Sequence, residues 1–133
     1  DHRDLPSFPT RRSSDLLDEE QTRQARTTLQ VEEIITLPDP LKELWRAIPP
    51  EPASLRAVVA PVTDWLLAAR PGDHVLVQGE FGATWLVVDW CLKNGLVPIH
   101  ASTGRAASAV QLPDGSVETK RTFRHVRFRR YGE

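Results

Sequence analysis

The stretch VLVQGEFGATW, residues 75–85, is where this sequence could do chemistry. An apolar run of strand length enters two glycines and then a helical pattern. Glycine lets the backbone approach a ligand closely. The N–H groups of the first helical turn, aligned with the helix dipole, attract an anion such as a phosphate. Gln78, Gly79, Phe81, Gly82, Ala83 and Thr84 are the candidate ligand-binding residues here, Thr84 through a hydroxyl donor. Gln78 stands at the carboxyl end of the strand, where open parallel sheets take their ligands. The pattern is neither G-x-G-x-x-G nor a phosphate loop with its Lys, which argues against the nucleotide binding of dehydrogenases and kinases. Glu80 opposes an anion unless it faces away or takes part. An ordinary strand-to-helix turn would use the same glycines.

A second cluster, HASTGR, follows at residues 100–105. Read as the loop after the next strand, it lies beside the first loop and closes a phosphate-sized basin. Ser102 and Thr103 can donate to a phosphate, and Arg105 adds a bidentate charge contact. His100 is a candidate general acid or base, although a lone His on a strand is more often a satisfied core residue. The catalytic group is left open among Thr84, Arg105 and His100. His125 sits among arginines. Cys91, Trp45, Trp65, Trp85 and Trp90 read as core. Cys91 and the four His residues show no zinc-type spacing, and no cofactor is expected.

The elements that must position these groups follow from periodicity. Residues 17–29 (LDEEQTRQARTTL) read as a helix with acids in its first turn, and 31–37 as a short strand. Residues 41–48 place Leu41, Leu44, Trp45 and Ile48 on one helical face. Residues 55–70 read as another helix, capped by Ser54, with Pro61 inside to kink or divide it. Residues 74–78 (HVLVQ) form a central strand, 83–94 a buried helix ended by Gly95, and 97–101 a further strand. Asp114-Gly115 joins 107–112 to 116–128 as a hairpin. The alternation implies an α/β fold with a mainly parallel sheet, helices on both faces and a C-terminal β-hairpin.

The chain has 133 residues, enough for one domain, and its formal charge is −1. No apolar run approaches the ~18–20 residues of a membrane span. A single cysteine fits a reducing, cytoplasmic setting. Charge is uneven: residues 17–104 hold seven basic against twelve acidic side chains, and 105–133 hold seven against three. The tail TKRTFRHVRFRRY alternates at strand period. Plain alternation puts Arg121, Phe123, Arg127 and Arg129 on one face, with Arg124, Val126, Phe128 and Arg130 on the other. A localised basic strand points to an anionic partner, or to an edge strand protected by charge.

Residues 1–16 (DHRDLPSFPTRRSSDL) show neither helical nor strand period, and the chain contains no Met. The segment SFPTRRSSDL, residues 7–16, resembles a sequencing adapter translated in one frame. The expectation is that residues 1–16 are non-native and pack poorly, and that 17–133 form the single domain. Leu5, Phe8, Leu16 and Leu17 are the apolar residues able to enter the vacated strand position.

The segments LDEEQ, VEEIITLP, LWRAIPPE, GDHVLVQGEFGATW, NGLVPIHASTGR and DGSV…FRHVRFRRY together resemble the small stand-alone proteins of type III CRISPR systems related to the CARF (CRISPR-associated Rossmann fold) domain. The resemblance runs from Leu17 to Tyr131, with VLVQGEFGAT its most specific part. It implies a Rossmann-like, CARF-like fold whose first strand is lost here. It also implies a homodimer that binds cyclic oligoadenylate, chiefly cyclic tetra-adenylate, and linearises it as a metal-independent ring nuclease, switching off the antiviral signal. Phe81 and Trp85 fall where the family has aromatics. Two alternatives remain: a module that binds the ring without cutting it, and a nucleic-acid-binding protein using the C-terminal basic strand. Duplex nucleic acid is the less expected partner.

Overall fold

The computed structural model describes residues 4–7 and 17–133, and the elements follow from local signals. A short strand, β1 (Asp4–Ser7), is followed by α1 (Glu19–Thr27). Asp18 caps α1: its carboxylate accepts from the Gln21 N–H at 2.7 Å, and the Gln21 side chain accepts from the Asp18 N–H at 3.2 Å. This reciprocal box satisfies two backbone donors that the helix cannot. Next come β2 (Glu33–Thr36) and α2 (Asp39–Arg46). Helix α2 begins two residues earlier than periodicity implied, because a proline in the first turn loses no helical hydrogen bond. Helix α3 (Arg56–Leu66) runs through Pro61 as one helix and is not divided. Pro61 is on its exposed side, where water can reach the carbonyl left without a donor.

Strand β3 (His74–Leu76) is wholly buried, and α4 (Phe81–Lys93) follows it. Strand β4 (Val97–Gln111) and strand β5 (Val117–Arg130) form a long hairpin. Its turn has Gly115 at φ +88°, and the Asp114 carboxylate accepts from the Ser116 N–H at 2.9 Å.

The sheet order is β2-β1-β3-β4-β5. The first four strands are parallel and β5 is antiparallel to β4. This is a mixed α/β fold with β3 at the centre. On one face Ala25 of α1 packs with Val31, Leu76 and Ile99. On the other, Trp45, Val59, Val62, Leu66, Ala83, Val87 and Cys91 from α2, α3 and α4 cover Val75 and Val77. Cys91 is fully buried, and burial pushes its thiol pKa up to about 12. Among the described residues no helix is long and apolar enough to cross a membrane.

Two sequence expectations are corrected here. The central position expected to be vacant is filled: β1 pairs with β2 from Asp4↔Glu33 to Ser7↔Thr36, and with β3 at Ser7↔Leu76. A gap between two parallel strands would leave two rows of backbone donors and acceptors without partners, so a short extended segment that reaches it is held there. Pro6 is buried, yet a cavity remains beside it, lined by Ile35, Trp65 and Asp73 among others. The rest of the adapter-like stretch, 1–3 and 8–16, lies outside the described residues.

The second correction concerns residues 101–105. They are not a loop. They continue β4 past the sheet edge, paired with β5 from Ala101↔Phe128 to Arg105↔Phe123 and onward. The two strands therefore project as a ribbon with solvent on both sides over most of its length.

Helix α1 is tied to the base of this ribbon by Gln24. The ladder is irregular between Ser102 and Thr103: Ser102 faces Arg127 but Thr103 faces His125. Val126 is thus the extra residue of a β-bulge. Gln24 Nε2 donates to the Val126 carbonyl at 3.0 Å. Gln24 Oε1 accepts from the Phe128 N–H at 3.0 Å and from His125 Nε2 at 2.8 Å. Because Oε1 only accepts, the His125 proton is on Nε2, and the buried Nδ1 is left without a partner. Burial lowers the His125 pKa, partly opposed by Asp18 and Glu20. The unfolded chain then takes up a proton that the folded protein resists. Stability is expected to fall as pH drops through the ordinary value of 6.5 and to level off below the folded pKa. Melting temperatures from pH 8 to pH 5 check this, and His125→Gln is expected to flatten the profile.

Candidate functional site

The loop after β3 is built by side chains that hold its backbone from two sides. Val77 extends the ladder, its N–H donating to the Ile99 carbonyl at 3.0 Å. Gln78 takes over where the backbone turns away: its Oε1 accepts from the Ala101 N–H at 2.9 Å, standing in for the next strand carbonyl. The Gln78 carbonyl in turn accepts from the Trp45 indole at 2.7 Å. Gln78 and Trp45 therefore fix the point where the loop leaves the sheet.

Gly79 is required by Trp45. A Cβ at this position would lie 2.6 Å from Trp45 Nε1 and 2.9 Å from Cε2. Its φ is not positive, so no unusual backbone conformation calls for glycine. The close approach expected of a ligand is made by the indole.

Glu80 is the N-cap of α4, and its Oε1 accepts from the backbone N–H groups of Gly82 and Ala83. The donors assigned to an anion thus already hold a carboxylate from the same chain. Glu80 neither faces away nor opposes the helix dipole; it satisfies it. A phosphate reaches these amides only by displacing Glu80. Thr84 is the first residue to close a helical bond, its N–H donating to the Glu80 carbonyl at 2.8 Å. Its hydroxyl is shielded from solvent and has no hydrogen-bond partner. Phe81 is 91% exposed and Trp85 60% exposed, so Trp85 is not core. Both lie on the side of α4 away from the buried Ala83, Val87 and Cys91.

His100 lies on β4 beside this loop. Strand alternation sends Pro98, His100, Ser102 and Gly104 to the face covered by α4, and Ile99, Ala101, Thr103 and Arg105 to the face covered by α1. The predicted basin is therefore split. Ser102 stays on the side of the Gly82 loop. Thr103 and Arg105 point to the opposite side, and Arg105 stands four residues, about 13 Å of strand, beyond Ala101.

The imidazole of His100 packs against Tyr131, ring centres 4.8 Å apart and tilted by 57°. Tyr131 is anchored through its hydroxyl, which donates to the Val77 carbonyl, and its N–H, which donates to the Pro98 carbonyl at 3.0 Å. Burial lowers the His100 pKa, and the charge of Arg129 lowers it further. Burial also raises that of Tyr131. A neutral imidazole beside a guanidinium suits proton abstraction next to a bound phosphate.

The sequence missed which arginines share this face. The bulge at Val126 adds one residue and reverses the alternation beyond it. Arg129 pairs with His100, Arg127 with Ser102 and Arg124 with Gly104, so all three lie on the α4 side. Arg124 is moved from the face that plain alternation gave it. Phe128 and Arg130 stay opposite, where Phe128 packs against the α1 cluster. A bulge leaves no mark in a pattern where arginine occurs on both phases.

The profile of the uncharacterized protein MJ1673 family matches residues 11–129, most of the chain. The chain belongs to this family. Its Methanocaldococcus jannaschii relative, uncharacterized protein MJ1673, is 40% identical over 116 residues, covering 86% of this chain and 89% of that protein. No solved structure matches. The span matched to the MJ1673 family begins after β1 and takes in the loop after β3, helix α4, His100, Ser102, Arg124, Arg127 and Arg129, but not Arg130 or Tyr131.

Proposed function

We propose that this chain binds cyclic oligoadenylate, with cyclic tetra-adenylate as the main ligand, and cleaves it to linear products, acting as a CARF-like off-switch for type III CRISPR signalling in the cytoplasm. The observation that carries the reading is the row His100–Arg129, Ser102–Arg127 at the carboxyl edge of the sheet, beside the loop at 79–82. The strand order 2-1-3-4-5 is shared by doubly wound folds that take ligands at this edge, beside the break between β1 and β3.

The reaction needs only groups of this kind. His100, neutral at physiological pH, accepts the proton of a ribose 2′-OH. The 2′-oxygen attacks the adjacent phosphorus, and the bond to the 5′-oxygen breaks. That oxygen takes a proton from water, and a 2′,3′-cyclic phosphate remains. Arg127 and Arg129 stabilise the charge that spreads over the phosphoryl oxygens. Gln78 and Trp45 hold the loop in place. Backbone donation from Gly82 and Ala83 enters only if Glu80 swings out.

A two-fold dimer belongs to this proposal. Phe81, Trp85 and Leu92 expose an apolar stripe along α4, 91%, 60% and 59% accessible, which a second copy would cover. The decisive experiment incubates the full chain with cyclic tetra-adenylate in a chelator and resolves the products. Linear oligoadenylate ending in a 2′,3′-cyclic phosphate is the expected result. Tight binding without conversion would assign sequestration, and neither binding nor conversion would overturn the proposal.

A further inference from the structure

We infer that Arg124, Arg127 and Arg129 form a track that binds consecutive phosphates of a single-stranded oligonucleotide. It rests on the proposed function for the phosphodiester class of the ligand and extends it beyond a closed ring.

The bulge makes this track possible. Without it, residues 124, 127 and 129 could not share a face, because 124 and 127 differ by an odd number. With Val126 extruded, the three arginines face Gly104, Ser102 and His100, which are successive same-face positions of β4. Two residues of strand separate each from the next, about 7 Å. That is the scale on which phosphates repeat along an extended single strand. Opposite them Ser102 is small, and the Val126 Cγ2 methyl covers Gly104, 3.3 Å from where a Cβ would stand, so Val126 lies on this face between Arg124 and Arg127. The three guanidinium groups flank it and can each reach a different phosphate. Lys120, opposite Ser108, continues the same face two steps further out.

All three arginines are exposed, and none forms an ion pair among the described residues. Glu20 of α1 feels the charge of Arg124, and Glu118 faces Val110 at the far end of the same face. Neither acid interrupts the row. Gln24 fastens the bulge to α1 by its bonds to Val126, His125 and Phe128, so the alignment is held by the fold. Edge protection alone is indifferent to which face each arginine takes; a track for phosphates is not.

The test is fluorescence anisotropy with a labelled 12-nucleotide oligoadenylate RNA and a 12-base-pair RNA duplex, across a salt series, using the full chain. Arg124→Ala, Arg127→Ala and Arg129→Ala are each expected to weaken single-strand binding about tenfold. Each should also reduce the slope of log K against log salt by about 0.7. Arg56→Ala, which removes a charge at the start of α3, is expected to change neither. Melting temperatures confirm that every variant is folded. Failure of the wild-type chain to bind the single strand, preference for the duplex, or an equal loss in Arg56→Ala would overturn the inference. Cyclic tetra-adenylate cleavage measured on the same proteins separates the two proposals. A wild type that ignores the ring but loses strand binding in the arginine variants leaves the track standing and removes the ring reading. Ring cleavage with strand binding unchanged in all three variants removes the track alone.

Discussion

Trp45→Ala is expected to lower the unfolding free energy by about 3–5 kcal/mol, the range for truncating a buried aromatic. Trp45 is 3% exposed, and it both fills the core against α3 and α4 and donates to the Gln78 carbonyl. Gly79→Ala should cost about 1–3 kcal/mol by overpacking, because its new methyl group meets a ring that is buried and hydrogen-bonded and cannot step aside. The informative measurement is the double-mutant cycle by urea denaturation. In the Trp45→Ala background the indole is gone, so Gly79→Ala should cost close to nothing. Additive losses would mean that Gly79 is glycine for a reason other than the indole.

His100→Gln is expected to reduce cleavage of cyclic tetra-adenylate by about 10²–10⁴-fold, with ring binding changed only a few-fold. Glutamine keeps the size and polarity of the side chain but cannot take a proton. The pH profile carries a second signature. Burial and Arg129 both hold the His100 pKa below its ordinary value of 6.5. The rate should therefore stay level through neutrality and fall only on the acid side of that value, as the imidazole protonates. Arg129→Ala should move that acid limb upward. Cleavage within threefold of wild type in His100→Gln would place the base elsewhere.

Where local chemistry decides an element, the sequence was readable. Asp114-Gly115 specifies a turn and the apolar run at 74–78 a buried strand, and both are found, the strand as His74–Leu76; the acids at 18–20 mark a helix start, where Asp18 is the cap and not part of the first turn. Residues 101–105 misled because Ser, Thr and Gly are loop formers in isolation, whereas pairing with a partner strand decides their conformation in the folded chain. By its charge alone, Glu80 conflicts with an anion at this loop. That its carboxylate folds back onto Gly82 and Ala83 depends on a side-chain rotamer, which spacing does not encode. The arginine row shows a further limit: one extruded residue, set by contact with Gln24 about a hundred positions away, reassigns every charge beyond it. The basic tail was legible as a surface, and its working face was not. Strand β1 is a similar case, since its four residues carry no strand signal of their own and are held by the two edges they bridge.

Cys91 gives this protein a built-in clock. Its thiol is the chain's single one, fully enclosed between α4 and the sheet. With a pKa raised to about 12, almost none of it is thiolate at neutral pH. A disulfide reagent such as Ellman's therefore cannot react until α4 lifts from β3. Each molecule that opens is marked once, without any introduced label. In dilute reagent the colour appears at a rate set by how often the core is open. In excess reagent it appears at the rate of opening itself. Following the two limits with and without an oligonucleotide would show whether a ligand bound on the far side of the loop slows the breathing of the helix that begins there.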